Sequence, residues 1–264
     1  MRFSPMALFA LPIGAALLSP VFCQAPSSAL HSPAREQRIA ELVSPSDQIS
    51  TAAGTVEINP IHHASFTLAA DNKLIYVDPS PADLFRGKPR ADLILITDIH
   101  ADHMDGGAIE ELSTPQTKII APPAVAKTIS NAQVLSNGEK TSWDSWTIEA
   151  VPMYNEKRGP SPGQLFHTKG RGNGYVLTYG GKRFYISGDT ENIPEMRALK
   201  NIDVAFVCMN LPYTMSVEEA AEAVKAFHPK IVYPYHYRGQ DTKKFATLLE
   251  GSGIEVRLRN WYPG

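Results

Sequence analysis

Residues 96–105 read ITDIHADHMD, and this short stretch concentrates side chains that bind metal ions. Four of them fall within six positions: Asp98, His100, Asp102 and His103. In an extended loop, positions i and i+2 point to the same side, so Asp98 and His100 could share one ion. Asp102 and His103 could then face a second ion beside it. The alternative for this stretch alone is a polar loop in contact with water, so ligands elsewhere in the chain would strengthen the metal interpretation.

The residues before this loop predict a buried strand. Residues 92–97 are almost wholly apolar, which is typical of a strand covered on both faces. Further along, Gly180-Gly181 joins two strands of a predicted hairpin, and Ser216 with Glu219 forms a capping box at the start of a helix. This mixture of strands and helices predicts an α/β fold in which sheet layers are flanked by helices.

Three more residues of metal-binding type lie in loops or follow predicted strands. His167 is in a Gly-rich polar loop, Asp189 lies in a Gly-Asp-Thr turn after a strand, and His236 follows a buried strand. Sites in α/β proteins are built in loops and at the carboxyl ends of strands. These positions strengthen the metal interpretation of residues 96–105.

Together these motifs resemble the metallo-β-lactamase superfamily. The resemblance covers residues 54–260, and the motifs occur in the family's order. The sequences IHHAS at 61–65 and YVDP at 76–79 are similar to metal-dependent hydrolases related to the ascorbate-lactone hydrolases. The resemblance implies a four-layer αββα sandwich with the metal site at one edge, between the two sheets.

The resemblance also implies how two metal ions would divide the ligands. The first site would hold Asp98, His100 and His167, the second would hold Asp102, His103 and His236, and Asp189 would bridge both. The family's usual loop is His-x-His-x-Asp-His, and this chain has Asp98 where the first histidine belongs. Three carboxylates against two divalent ions leave one positive charge, which a bridging hydroxide would cancel. We expect two divalent ions, with zinc first and manganese or iron open because carboxylate is a harder ligand than imidazole.

Two alternatives stay open at Asp98. The first site could be weak or empty, which would leave a mononuclear enzyme, or the substitution could abolish metal binding. If Asp98 is a ligand, the change Asp98→His should restore the family's usual ligand set.

The chemistry implied by such a site is hydrolysis by a metal-activated water. Two adjacent ions lower the pKa of a shared water and stabilise the charge that develops on the attacked carbonyl or phosphoryl oxygen. We predict cleavage of an ester, lactone, amide or phosphodiester. Asp102, Asp189 and His63 have the predicted catalytic roles, and Asp78 could orient a ligand through a hydrogen bond. Neither a P-loop nor a serine-nucleophile elbow is expected.

The loop at 154–173 places positive charge beside His167. Its cations are Lys157, Arg158, Lys169 and Arg171. Two interpretations stay open: a mobile lid whose cations hold an anionic substrate, or an ordinary loop whose charges face water. Arg238 could likewise clamp a substrate or form a surface ion pair. We therefore expect a small-molecule substrate that could be anionic.

Composition excludes several classes of protein. Among 264 residues, 25 Lys and Arg against 27 Asp and Glu give a formal net charge of −2, unlike the strongly basic domains that bind nucleic acid. Two cysteines are too few for a disulfide framework or a Cys-rich zinc module. We therefore expect no nucleic-acid partner, and the oligomeric state stays open.

The amino terminus predicts export. The apolar run at 6–18 suits a signal-peptide core and is too short to span a bilayer. The predicted division is a signal peptide at 1–25, a loose leader at 26–50 and the hydrolase domain at 51–264. We expect a periplasmic or secreted protein with no stable membrane insertion after signal cleavage. A lipoprotein anchored at Cys23 and a retained membrane anchor are the alternatives.

The main alternative function is a non-catalytic metal-binding or interaction protein on the same fold. A di-iron oxidoreductase is disfavoured, because that variant typically has a glutamate in its loop and a separate flavin domain, whereas this chain has His100. The acidic charge balance and predicted export disfavour a nuclease.

Overall fold

The computed structural model describes Met1 and residues 47–263, and two mixed β-sheets dominate that part of the chain. The first sheet has seven strands in the order of the sequence. They are β1 (Asp47–Thr51), β2 (Gly54–His62), β3 (Ser65–Ala70), β4 (Lys73–Val77), β5 (Leu93–Leu95), β6 (Lys118–Ala121) and β7 (Gln133–Val134). Strands β1 to β4 pair antiparallel, whereas β4 to β7 pair parallel.

The second sheet also has seven strands, in the reverse order from β14 to β8. They are β8 (Lys140–Trp143), β9 (Trp146–Met153), β10 (Gly172–Tyr179), β11 (Lys182–Ile186), β12 (Val204–Cys208), β13 (Ile231–Tyr235) and β14 (Glu255–Val256). Strands β8 to β11 pair antiparallel, and β11 to β14 pair parallel. Each sheet therefore has a parallel half whose strands all end at the same edge.

Helices cover the outer face of each sheet. They are α1 (Gly106–Leu112), α2 (Pro123–Ala126), α3 (Pro194–Arg197), α4 (Val217–Phe227), α5 (Thr242–Leu248) and a 3₁₀ helix at Ala82–Phe85. The apolar faces of α1 and α2 pack on the first sheet, and those of α3, α4 and α5 pack with the second. The predicted capping box of α4 is confirmed, because Ser216 and Glu219 each bond the other's backbone N–H. The layers are αββα, so the predicted four-layer sandwich is confirmed.

Aromatic side chains join the inner faces of the two sheets. Phe66 of β3 stacks on Phe206 of β12 with ring centroids 4.4 Å apart, and Trp261 meets Phe66 edge to face at 5.7 Å. All three side chains are fully buried. These contacts fix one sheet against the other and so fix the edge where the site lies.

Two strands lie where the sequence predicts none. Strand β1 begins at Asp47, so the ordered domain starts before the predicted boundary at residue 51, and residues 47–50 belong to the sheet and not to a loose leader. Strand β8 pairs with β9 through a tight hairpin. Both strands are short and half-exposed, so their hydrophobic pattern is weak, and their order comes from hydrogen bonds to a neighbouring strand.

The predicted signal peptide at 1–25, beyond Met1, and most of the predicted leader at 26–50 lie outside the described residues. Both therefore stay predictions. Within the described residues, no helix has the length and apolar character needed to cross a membrane.

Candidate metal centre

The predicted ligands meet at one edge of the sandwich, where strands of both sheets end. The loop at 96–105 follows β5, Asp189 follows β11, and His236 follows β13. His167 joins them from the loop between β9 and β10. Because parallel strands end at a common edge, residues far apart in the chain come together. All seven ligands predicted from the sequence lie in this cluster.

Tight backbone turns aim these side chains at the site. The carbonyl oxygen of His100 accepts a hydrogen bond from the backbone N–H of His103 at 3.0 Å, which folds the loop back on itself. Gly188 has a φ of +60°, and a Cβ at this position would lie 2.5 Å from Sδ of Met153. Glycine therefore lets the chain turn tightly just before Asp189. His236 also has a positive φ, of 48°.

Asp189 lies at the centre of the cluster, within reach of three imidazoles. Its Oδ2 lies 3.2 Å from Nε2 of His167 and 3.3 Å from Nε2 of His103, and its Oδ1 lies 3.4 Å from Nε2 of His236. Burial alone would raise the pKa of Asp189, but His236 and His103 hold this pKa well below its usual value. Asp189 therefore lies between imidazoles of both predicted sites, and its bridging role stays a prediction.

Buried ligand atoms without partners test whether the site fits a metal ion. Nε2 of His103, His167 and His236 and Oδ1 of Asp189 are buried without a hydrogen-bond partner in the described part of the chain. Leaving a buried polar group unpaired costs about 1–3 kcal/mol. Imidazole nitrogen and carboxylate oxygen are donors that zinc and neighbouring transition metals bind. The donor set therefore fits the predicted divalent ions.

The ligand atoms form three overlapping groups, each with its atoms within 4.8 Å of one another. The groups are Asp98 with His100 and His167, His103 with Asp189 and His236, and His63 with Asp102 and His236. The first group is the predicted first site. The residues of the predicted second site are divided between the other two groups. Across these groups, Oδ1 of Asp102 lies 4.0 Å from Nε2 of His103. His63 joins the ligand cluster although the sequence assigned it no metal.

Asp98 is held by a guanidinium as well as by imidazoles. Nη2 of Arg171 donates to Oδ2 at 2.7 Å and Nε donates to Oδ1 at 3.1 Å, which makes a bidentate ion pair. Nδ1 of His100 lies 3.0 Å from the same Oδ2, and Nε2 of His167 lies 3.8 Å from it. Burial would raise the pKa of Asp98, but the bond with His100 and the nearby positive charges lower it. The sequence analysis missed this contact because no local spacing connects positions 98 and 171.

A buried carboxylate fixes the orientation of His103. Nδ1 of His103 lies 2.8 Å from Oδ2 of Asp78, so Asp78 makes a hydrogen bond of the predicted kind to one of the candidate ligands. Asp78 also accepts from the backbone N–H of Thr97 at 2.7 Å and from its hydroxyl at 2.6 Å. A carboxylate behind a ligating imidazole sets its tautomer and turns Nε2 toward the metal position.

Asn155 fixes the orientation of the His167 ring, as Asp78 does for His103. Its Oδ1 lies 2.6 Å from Nδ1 of His167 and accepts the backbone N–H of that residue at 2.9 Å. Its Nδ2 donates to the carbonyl of Tyr213 at 2.9 Å. The sequence analysis did not find Asn155, because an asparagine in a polar loop carries no signal until the loop folds back.

His63 lies behind Asp102, and its ring is tilted by 32° against that of His236 at a centroid distance of 3.7 Å. Its Nε2 lies 3.1 Å from Oδ2 of Asp102, and its Nδ1 lies 2.5 Å from the hydroxyl of Tyr262. That hydroxyl accepts the backbone N–H of Arg238 at 2.8 Å. All bonds are satisfied when Tyr262 donates to Nδ1 and Nε2–H donates to Asp102. Burial lowers the pKa of His63 to about 4, which favours the neutral ring this arrangement requires.

A cavity of about 340 Å³ opens onto the cluster. It is lined by His100, Asp102, Phe166, His167, Asp189, Asn210, Tyr213 and Arg238. Phe166 and Tyr213 meet edge to face, with centroids 5.0 Å apart, and supply apolar surface. The size suits a small molecule.

Carboxylates pair with all four cations of the loop at 154–173. The ion pairs are Lys157 with Glu219, Arg158 with Glu191 and Glu219, Lys169 with Glu195, and Arg171 with Asp98. The interpretation of this loop as a mobile lid whose cations hold an anionic substrate stays a prediction. Arg238 lines the cavity and makes no ion pair within residues 47–263, so the surface ion pair considered for it is absent there.

The same loop contains the letters of a serine-nucleophile motif. Residues 159–163 read GPSPG, so the Gly-x-Ser-x-Gly pattern is present in its letters. A nucleophile elbow requires a strand-to-helix turn, whereas Ser161 lies exposed in a loop between β9 and β10. Ser161 therefore does not form a serine-nucleophile elbow.

The sandwich and its ligand cluster define a metal-binding protein of the metallo-β-lactamase type, and comparison with known proteins agrees. The β-lactamase superfamily domain matches residues 57–236. A metal-dependent hydrolase of Thermococcus kodakarensis is 30% identical over 219 residues, which cover 76% of this chain and 95% of that protein. The chain therefore belongs to the β-lactamase superfamily, in its metal-dependent branch.

Solved structures support the same assignment. A protein from Parabacteroides distasonis, assigned as a metal-dependent hydrolase, superposes with a TM-score of 0.77 at 43% identity, over 82% of this chain and 99% of that one. A metallo hydrolase from Ignicoccus hospitalis shares the fold, with a TM-score of 0.65 at 22% identity over 77% of this chain and 94% of that one.

These comparisons confirm the predicted superfamily and fold, and the relatives' names agree with the predicted enzyme class. The narrower similarity to ascorbate-lactone hydrolases stays a prediction. So do the number and identity of the metal ions and the role of each ligand.

Proposed function

We propose that this protein is a hydrolase that uses a metal-activated water to cleave an ester, lactone, amide or phosphodiester bond in a small molecule. The observation that carries the proposal is the set of buried, unpaired ligand atoms around Asp189, beside a cavity of about 340 Å³. The names of the relatives support the same class of reaction.

The residues present would suit two divalent ions, with zinc as the first choice and manganese or iron as alternatives. Asp98, His100 and His167 would hold one ion, Asp102, His103 and His236 the other, and Asp189 both. When bound, the ions supply a Lewis acid and an activated water at neutral pH. Asp78 and Asn155 keep two imidazoles aimed at the site, and His63 holds Asp102 in place.

We further propose that the substrate carries a negative charge next to an apolar group. Arg238 lines the cavity without an ion-pair partner among the described residues. A guanidinium binds carboxylate or phosphate through parallel hydrogen bonds. Phe166 and Tyr213 line the same cavity and would contact the apolar part. The change Arg238→Met should therefore raise KM for anionic substrates more than for neutral ones.

Substitution of the central carboxylate tests the hydrolase proposal. The full-length protein is stripped with a chelator, reloaded with Zn²⁺, Mn²⁺ or Fe²⁺, and assayed on chromogenic ester, lactone, phosphodiester and β-lactam substrates. We expect activity that requires metal and that falls at least a hundredfold in Asp189→Ala, with loss of bound metal.

The matched control is Asp203→Ala, because Asp203 is another carboxylate with little exposure, paired with Lys182 and Lys230 away from the cluster. It should keep its metal and its activity. Hydrolysis that survives metal removal, or that is unaffected by Asp189→Ala, would contradict the proposal. Firm metal binding without turnover on any substrate would favour the non-catalytic alternative.

We also propose export through cleavage of the predicted signal peptide. The protein recovered from the periplasm or the medium should begin at residue 26 in amino-terminal sequencing. A cytoplasmic protein that still begins at Met1 would contradict export without affecting the hydrolase proposal.

A further inference from the structure

The Asp98–Arg171 pair changes the net charge of the proposed metal centre. The three carboxylates of the cluster carry three negative charges, and Arg171 returns one positive charge through its bidentate bond with Asp98. The pair is therefore electrically neutral, as a neutral histidine at position 98 would be. Asp98 and Arg171 together therefore have the same net charge as the histidine in the family's usual loop. They do not match that histidine in strength as a metal donor.

The pair also affects the oxygen that a metal ion would need. Oδ2 of Asp98 faces both His100 and His167, and this same oxygen accepts the shorter bond from Arg171, at 2.7 Å. A cation bound by this group would share Oδ2 with a guanidinium and would be repelled by its charge. Both oxygens of Asp98 accept hydrogen bonds from the guanidinium of Arg171. The carboxylate therefore cannot turn toward a metal ion without weakening these bonds.

The other side of the cluster has no such competitor. Asp102 and Asp189 make close ion-pair contacts with histidines, and neither pairs with a lysine or arginine within residues 47–263. Each half has buried Nε2 atoms without a hydrogen-bond partner among the described residues, those of His103 and His236 on this side and that of His167 beside Asp98. The two halves of the site therefore differ in net charge and in the freedom of their carboxylates.

We propose that Arg171 makes the two metal positions unequal. One ion binds firmly beside Asp102, His103, Asp189 and His236, and the second binds weakly and exchangeably beside Asp98, His100 and His167. Arg171 is a positioning residue that acts through Asp98. This inference rests on the proposed metal centre and adds that occupancy of the first site responds to the concentration of metal.

Calorimetric titration of the metal-depleted full-length protein with Zn²⁺, and separately with Mn²⁺, tests the proposal without measuring activity. We expect two binding steps whose dissociation constants differ at least tenfold. The change Arg171→Met keeps an apolar stem and removes the charge, so the weaker step should tighten at least tenfold while the tighter step stays unchanged. Equal affinities in the wild type, or no tightening in Arg171→Met, would overturn the proposal.

Lys169→Met is the matched control, because Lys169 lies two positions away in the same loop and pairs with Glu195, not with Asp98. It should bind both ions as the wild type does, and a tightening equal to that of Arg171→Met would overturn the proposal.

A double-mutant cycle tests whether Arg171 acts through Asp98. Asp98→His alone leaves the guanidinium without its carboxylate, so its weaker step should stay weak, whereas Asp98→His with Arg171→Met should bind two ions firmly. Equal affinities in these two variants would overturn the role of Arg171. A wild-type protein that binds no metal would instead contradict the proposed function.

Discussion

Asp78 is not among the residues that line the cavity at the cluster, yet the orientation of His103 depends on it. It is fully buried, and its carboxylate accepts from Nδ1 of His103 and from two groups of Thr97. In Asp78→Asn the amide nitrogen cannot accept these bonds, so the ring of His103 loses its fixed orientation. Loss of such a partner typically lowers metal affinity about 10–100-fold. Competition with a fluorescent chelator would measure this loss.

The control for this prediction is Asp203→Asn, which makes the same chemical change at a residue that pairs with Lys182 and Lys230. It should lower stability without changing metal affinity. If both variants lost metal affinity equally, the effect of Asp78→Asn would be one of general stability.

At the scale of single residues, the sequence predicted ligands better than the residues that hold them. The ligands stand out because aspartate and histidine cluster at 98–103 and recur after strands. Asn155 and Arg171 do not stand out, since their roles depend on a loop that returns to the site. The ion pairs of Lys157, Arg158 and Lys169 could not be predicted for the same reason.

At the scale of elements, the loop at 154–173 is fastened by one buried glutamate. Glu191 accepts the backbone N–H groups of Glu156, Lys157 and Arg158 at 2.7–3.1 Å and pairs with the guanidinium of Arg158. Burial would raise the pKa of Glu191, but these bonds lower it from 4.5. The loop that carries His167 and Asn155 is therefore held by a charge-dependent contact.

Glu191→Gln should lower the free energy of unfolding by about 2 kcal/mol at pH 7, because it replaces charge-assisted hydrogen bonds with neutral ones. The contribution of Glu191 is present above pH 4.5 and is lost as the pH falls through its folded pKa, so the difference from wild type should shrink toward pH 3. Urea unfolding at both pH values measures this. A difference that grows toward pH 3 would contradict the assignment.

Glu195→Gln is the comparison within the same region, since Glu195 is partly exposed and pairs with Lys169. Exposed pairs contribute about 0–1 kcal/mol, so this variant should change stability less than Glu191→Gln does.

The elements found from the sequence are those with strong local signals. The hairpin of β10 and β11 and the capped helix α4 match their predictions because turn glycines and a capping box act within a few residues. Strand β5 is shorter than the apolar run at 92–97 that predicted it. The apolar run at 92–97 therefore indicated which residues are buried, but not how many of them pair with a neighbouring strand.

At the scale of the whole molecule, the end of the chain closes the core. Trp261 is fully buried against Phe66, Phe206 and Tyr235, which come from both sheets, and its carbonyl accepts the backbone N–H of His63. Trp261→Ala should lower the free energy of unfolding by about 3–5 kcal/mol through the cavity it creates.

Urea or thermal unfolding would measure this loss, with Trp143→Ala as the control because Trp143 is only partly buried. Trp143→Ala should cost clearly less. Equal losses would mean that Trp261 does not join the sheets more strongly than an ordinary surface aromatic does.

From hydrophobic pattern and capping, which are local properties, the sequence by itself predicted an α/β fold with helices flanking the sheets. Its clustered aspartates and histidines carried the resemblance to the superfamily, and that resemblance implied the αββα sandwich and the seven candidate ligands. The tertiary structure alone decided that Arg171 pairs with Asp98, that Asn155 orients His167, that the imidazole oriented by Asp78 is that of His103, and that the loop cations are paired with carboxylates. These contacts join residues up to 73 positions apart. Such distances are set by how the two sheets pack, and no short-range pattern records them.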